Sequence, residues 1–288
     1  MTTPAPSEQT EPDNTDVTRL AECVEAIGSS GFPKAISEYC MGLCGGDLVF
    51  LSAFFDDHQP VALYANHADE AQKAALELYL DIAYVLDPFF ILFRRKGRDE
   101  VVTLADVAPD NFRRSEYYQT FYKAMRIADE CGLMLHLDAK AALFFSFGFQ
   151  SEDRRAKPGR LRAAIPVIAA LVRRHWTVLT PERPDGTGRI AAHLEAAFEA
   201  FGASVLSPRE GDIVRMILKG HSSKAIARAF DNSPETIKVH RKRIYSKLNV
   251  ASQGGLLSVF LGALSKMPAA ADGDPLQYLS GPDRPGPT

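Results

Sequence analysis

Leu206–Leu261 reads LSPREGDIVRMILKGHSSKAIARAFDNSPETIKVHRKRIYSKLNVASQGGLLSVFL, and its punctuation decides the architecture of this part of the chain. Ser207, Pro208 and Glu210 form a helix start: a hydroxyl N-cap, a proline where a missing N–H does no harm, and a glutamate placed to bond back to the cap. Ile213, Met216 and Ile217 then share a face, and Gly220 stops the helix. Ser222 or Ser223 caps a second, very short helix carrying Ile226 and Phe230. After a tight turn at Asp231 and Asn232, Ser233, Pro234 and Glu235 open a third helix that runs to Leu248, with Ile237, Ile244 and Leu248 at helical spacing. A fourth begins near Ser252 and carries Leu256, Leu257, Phe260 and Leu261.

Four short helices, the second and third joined by a three-residue turn, make a helix-turn-helix whose third helix faces outward. That third helix is basic, and Lys238 and Lys242 stand one turn apart on the side away from Ile237 and Ile244. A cationic helix of this width fits a major groove. Charge along the chain agrees. Val205–Lys266 holds eleven basic and four acidic residues, a net of +7, although the whole chain is at −3. A cationic unit is therefore joined to an anionic body, as expected of a polyanion-binding module with a separate partner domain.

At these residues the stretch resembles the LuxR-type (NarL/FixJ) DNA-binding domain. The pattern L-T/S-P-R-E is met at Leu206–Glu210, G-x-S/T-x-K-E-I-A at Gly220–Ala227, and S-x-x-T-V-K-x-H-x-x-x-I-x-x-K-L at Ser233–Leu248. Ala225 stands where the family usually has Glu, and Gly211 in the first helix is a second departure. The resemblance implies base contacts from Lys238, Val239 and Lys242. Backbone contacts are expected from Ser222, Ser223, Ser233, Thr236, Arg241 and Lys247. The family's fourth helix commonly forms a dimer interface, here through Leu257 and Phe260.

The 288 residues exceed one ordinary domain, and 46% hydrophobic with 24% charged residues is the balance of a folded soluble protein. Composition divides the chain into a disordered tail at 1–16, a regulatory domain at 17–180, a linker and amphipathic connector helix at 181–203, the helix-turn-helix domain at 204–266 and a second disordered tail at 267–288. No run approaches a membrane span and the start is polar and acidic, so a cytoplasmic protein is expected. Cys23, Cys40, Cys44 and Cys131 are too irregularly spaced for a disulfide framework or a zinc set and read as buried thiols, with no metal or cofactor expected.

In the regulatory region, Asp47–Phe55 and Pro60–Ala65 read as a β-hairpin, Ala68–Tyr84 as a helix, and Glu100–Leu104, Leu133–Leu137 and Ala142–Phe149 as further strands. Further helices are expected at 17–28, 33–44, 115–126 and 159–175. Strand pairs interleaved with helices predict an α+β sandwich with an antiparallel sheet, the shape class of GAF and PAS sensors, beside an all-α four-helix domain. The order and acidic residues of a phosphorylated receiver are missing. Tyr79 to Tyr84 with Asp87 and Pro88 resembles the tyrosine-rich helix and Asp-Pro of LuxR autoinducer domains, but the single tryptophan, Trp176, stands at the far end of the domain. A small-molecule pocket built from Phe54, Phe89, Phe90, Tyr117, Phe145 and Phe147 is the preferred expectation, with a lactone-type sensor and a ligand-free dimerisation scaffold as alternatives. No nucleophile elbow, P-loop, dinucleotide fingerprint or zinc-protease helix is present, so the expectation is a homodimeric regulator of double-stranded DNA and not an enzyme.

Overall fold

The computed structural model describes residues 14–56, 59–66, 69–154, 156–178, 196–268, 271 and 273–279. Five strands, β1 (Leu48–Phe55), β2 (Val61–Ala65), β3 (Glu100–Thr103), β4 (Asp129–His136) and β5 (Ala141–Phe149), form one sheet in the order β2-β1-β5-β4-β3. Every neighbouring pair is antiparallel. β1 and β5 at its centre are buried along nearly their whole length, so both faces of the sheet must be covered.

Side-chain alternation sends the two faces to different partners. Val49, Leu51, Leu133, Leu143, Phe145 and Phe147 join a core closed by α1 (Asn14–Glu25), α2 (Phe32–Cys44) and α6 (Pro158–Val178). Phe54, Met134, Ala142 and Phe144 face the other way, toward α3 (Glu70–Asp81), α4 (Pro88–Arg94) and the segment between α5 (Leu104–Val107) and β4. Gly132 lies where that second layer is tightest: a Cβ there would sit 2.6 Å from the Phe144 ring and 2.8 Å from the Phe89 ring. All four cysteines are free and buried, and burial pushes the Cys23 and Cys44 thiols up to about 12.

The C-terminal helices are α7 (Pro208–Leu218), α8 (Ser223–Ala229), α9 (Pro234–Lys247) and α10 (Gln253–Lys266). Their core runs without a break into the second face of the sandwich. The expected α+β sandwich joined to an all-α domain is the fold observed. No helix among the described residues is long and apolar enough to cross a membrane.

Three expectations need correction. β4 starts at Asp129, four residues earlier than the apolar pattern alone marks, because Asp129 and Glu130 are buried strand residues. The 115–126 region is no plain α-helix: Tyr118–Tyr122 forms a π-helical turn. Residues 273–279, assigned to a disordered tail, are instead anchored. Asp274 accepts hydrogen bonds from the N–H groups of Gly202 (2.9 Å) and Ser204 (2.8 Å), and Leu276 and Leu279 are buried. A Pro-, Gly- and Asp-rich composition hid those two leucines. The Thr180–Gly188 linker and the first half of the connector helix lie outside the described residues, as do His58 and His67. Residues 196–200 of the connector are helical, with Ala197 and Phe198 buried.

Candidate nucleic-acid interface and buried cavity

Each helix of the C-terminal unit starts on its own hydroxyl cap. Ser207 Oγ accepts from Glu210 N–H and the Glu210 carboxylate accepts from Ser207 N–H at 2.9 Å, a reciprocal capping box. Ser222 caps α8, and Ser233 caps α9 by accepting from Thr236 N–H at 3.0 Å. Asn232 N–H closes the turn between α8 and α9 on Ala227 O, with Asp231 at φ 51°. Ile237 and Ile244 of α9 are fully buried, which fixes the helix roll. Val239 is therefore 51% exposed and the Lys238 side chain 69% exposed, with Lys242 also outward. The three residues assigned to base contact share one solvent-facing surface.

The expected backbone contacts divide. Ser233 and Thr236 sit together at the α9 N-terminus, their hydroxyls 2.9 Å apart. Arg241 donates to Tyr245 Oη at 3.0 Å. Ser223 is the half-buried first residue of α8. Lys247 is not free for phosphate: its ammonium donates at 2.8 Å to Glu210, joining the end of α9 to the start of α7. Burial acts to raise the Glu210 carboxyl, but the Lys247 and Ser207 hydrogen bonds outweigh it and hold the group below its usual range. Ser222 is also engaged. Its N–H donates to Asp110 Oδ1 at 3.0 Å and its hydroxyl donates to Asp110 Oδ2.

Leu257 and Phe260, expected at a dimer interface, are buried inside this chain. Phe260 is edge-on to Phe198 (5.5 Å between ring centroids) and Phe201 (5.2 Å). Connector residues Phe198 and Phe201 cover the Phe260 ring, and Leu257 is buried as well.

A cavity of about 80 Å³ opens between the sheet and the layer formed by α3 and residues 117–127. Its wall is largely apolar, with Phe50, Leu76, Phe121 and Phe144 among its residues, and one region is densely polar. There Tyr79 Oη donates to Asp87 Oδ2 at 2.6 Å, and Phe89 N–H donates to Asp87 Oδ1 at 2.8 Å. Tyr122 Oη and Ser146 Oγ each donate to Glu130 at 2.5 Å. Both carboxyl groups are buried. Burial, partly offset by those donors, pushes Asp87 up to about 6; burial and the neighbouring Asp87 push Glu130 up to about 8.

Residues 204–260 match the family model for bacterial regulatory proteins, luxR family. An HTH-type transcriptional regulator in the exeN 3' region of Aeromonas salmonicida is 30% identical over 191 residues, spanning 63% of this chain and 96% of that one. The chain belongs to the luxR family. The transcriptional regulatory protein FixJ of Bradyrhizobium diazoefficiens is 37% identical over 75 residues, 25% of this chain and 37% of that one. The crystal structure of the VqsR LBD domain from Pseudomonas aeruginosa superposes with a TM-score of 0.50 at 22% identity, covering 58% of this chain and 99% of that one, which shows a shared fold. This LuxR-type chain is thus a transcriptional regulator, and its relatives indicate no catalytic family.

Of the six aromatics assigned to a pocket in this regulator, Tyr117 and none of the other five lines the cavity. Phe54, Phe89 and Phe90 pack into the core beside it. Phe145 and Phe147 are on the opposite sheet face, because strand alternation turns Phe144 and Ser146 toward the cavity and their neighbours away. Glu130 was missed, since an Asp-Glu pair before an apolar run reads as a solvated turn. Asp87 was visible through its Asp-Pro context.

One segment of the LuxR-type regulator touches both regions. Tyr117, Phe121 and Tyr122 line the cavity. A few residues earlier, Asp110 holds Ser222, and the Phe112 backbone and Ser115 side chain lie 3.2 Å from where a Cβ on Gly220 would project. Gly220 has φ +88°, so that turn both needs glycine's left-handed backbone and admits the neighbouring segment closely. The Glu116 carboxylate comes as close to Gly254 at the start of α10.

Proposed function

We propose that this regulator binds a specific, partly palindromic duplex site as a homodimer in the cytoplasm and takes a small-molecule effector in the cavity of its N-terminal domain. The observation that carries the reading is the continuity of residues 110–122, which line the cavity at one end and hold the helix-turn-helix unit at the other. Lys238, Val239 and Lys242 on the outer face of α9 read base edges, while Ser223, Ser233, Thr236 and Arg241 serve the phosphates. Ser222 joins them once Asp110 releases it. Effector binding shifts the position of Tyr117 and Tyr122, and with them the grip of Asp110 on the DNA-binding unit. Since Phe260 and Leu257 are occupied internally, the second copy pairs through another surface.

The test is selection of genomic duplex fragments by the purified full-length protein, followed by affinity measurement across a salt series. A preferred fragment whose affinity falls steeply between about 50 and 200 mM salt supports the reading. Failure to retain any duplex at low ionic strength overturns the DNA-binding half. Thermal shift against a metabolite panel addresses the other half: an effector bound at a hundred times its Kd adds about 2.7 kcal/mol of stability. No stabilisation across a broad panel leaves a ligand-free scaffold.

A further inference from the structure

The polar region of the cavity has a composition that an uncharged ligand does not require. Asp87 approaches from the start of α4 and Glu130 from β4, each at least nine-tenths buried. Tyr79 from α3, Tyr117 and Tyr122 from the π-turn region, and Ser146 from β5 complete it. Among the described residues, no Lys, Arg or His lines the cavity. The nearby Asp129 is paired instead with Arg113, at 3.3 Å. Tyr117 is buried and borders the cavity.

Burying one ionised carboxyl group is costly, and burying two within electrostatic reach of each other costs more, so these acids hold protons more tightly than usual until a positive charge enters between them. Asp87 has a structural reason to be present, as the N-cap of α4. Glu130 has none of that kind. It is the second residue of β4, opposite Gly148, and the inward positions that follow it are Gly132 and Met134. A neutral amide or alcohol needs one acceptor, and Asp87 alone supplies it.

Given that the cavity is the effector site, we propose that the effector is a cationic amphiphile, with a protonated amine or similar N–H-bearing cation seated between Asp87 and Glu130 and an apolar body lying along Phe50, Leu76 and Phe121. The tyrosine rings of Tyr117 and Tyr122 add cation–π attraction to the same head group. Entry of the cation favours ionised Glu130, whose empty-cavity value is about 8. The three tyrosines are pushed upward by burial and by the two acids, so they stay neutral throughout the range that matters. Affinity for an amine therefore rises with pH until the carboxyl groups are ionised, and an aliphatic amine keeps its own proton to roughly pH 10, as lysine does.

The experiment measures binding of n-octylamine, n-octanol and octanoate to the full-length protein by calorimetry between pH 6 and 9. The expected result is that octylamine binds best and tightens at least tenfold over that range, as loss of one competing proton requires. Octanol is weaker and independent of pH, and octanoate is excluded. Glu130→Gln weakens octylamine at least tenfold and leaves octanol unchanged, and Ala75→Phe, which fills the cavity, abolishes both. The wild-type pH series stands by itself if the Glu130 variant does not fold. Octanol binding as tightly as octylamine without pH dependence overturns the cationic head and leaves the effector cavity intact. No binding by any probe, or binding that survives Ala75→Phe, overturns both.

Discussion

The outer face of α9 and the cavity behind the sheet are opposite solutions to carrying charge. On α9, Lys238 and Lys242 stand in water, where counterions gather that a polyanion can displace. In the cavity, Asp87 and Glu130 are withdrawn from water and held by tyrosine and serine hydroxyls, at values raised toward neutrality. The first surface is open to a polyanion, and in the proposed reading it gains specificity from base contacts. The second is poised against its own ionisation, and in the proposed reading it responds to whatever supplies the missing charge.

The largest effect that bears on this contrast is structural. Phe260→Ala removes a fully buried ring that joins the connector to α10, and should cost about 3–5 kcal/mol in a denaturant titration. A variant that keeps its stability but loses its dimer would return Phe260 to the interface role expected from sequence. Next, Lys242→Ala or Lys238→Ala should weaken a preferred duplex by about 1–3 kcal/mol while the unfolding midpoint stays unchanged. Equal loss on all sequences would move the lysine from base reading to phosphate neutralisation.

The cavity half is addressed by pH. Asp87 and Glu130 carry folded-state values above those of the unfolded chain, so the protein binds extra protons on folding. Their contribution is present at low pH and is lost as pH rises toward about 8, at up to about 1.4 kcal/mol per pH unit for each proton. Chemical denaturation of wild type and Glu130→Gln between pH 5 and 8.5 checks this: the variant should lose the steeper part of the decline. Smallest of all, Asp110→Ala should reduce the docking of the DNA-binding unit by about 0.5–1.5 kcal/mol, the worth of the lost hydrogen bonds. It is read as faster amide exchange around Ser222, and unchanged exchange there would sever the proposed connection between the two regions.

The same two regions differ in how openly the sequence displays them. Ser207, Ser222, Ser233 and Ser252 cap their helices as the local pattern predicts, because a cap and its helix are neighbours in sequence. The outward position of Lys238 follows from Ile237 and Ile244 being apolar. Glu130 could not be read this way, because its burial depends on Tyr122 and Ser146, eight and sixteen residues away, and on a sheet register that puts Ser146 on the cavity side. Phe260 was misplaced for a related reason: nothing in α10 itself reveals that Phe198 and Phe201 return to cover it. Contacts set by local periodicity are legible, and those set by tertiary meeting are not.

The anchored stretch at 273–279 bears on how the DNA-binding unit is handled. Asp274 grips the turn at Gly202–Ser204, while Leu276 and Leu279 are buried in the core that α10 shares. Trimming the polypeptide after Lys266, at the edge that helical periodicity suggests, strips away this clasp and bares greasy surface beside Phe201. A fragment cut there would be prone to clumping, and its behaviour would misrepresent the intact molecule.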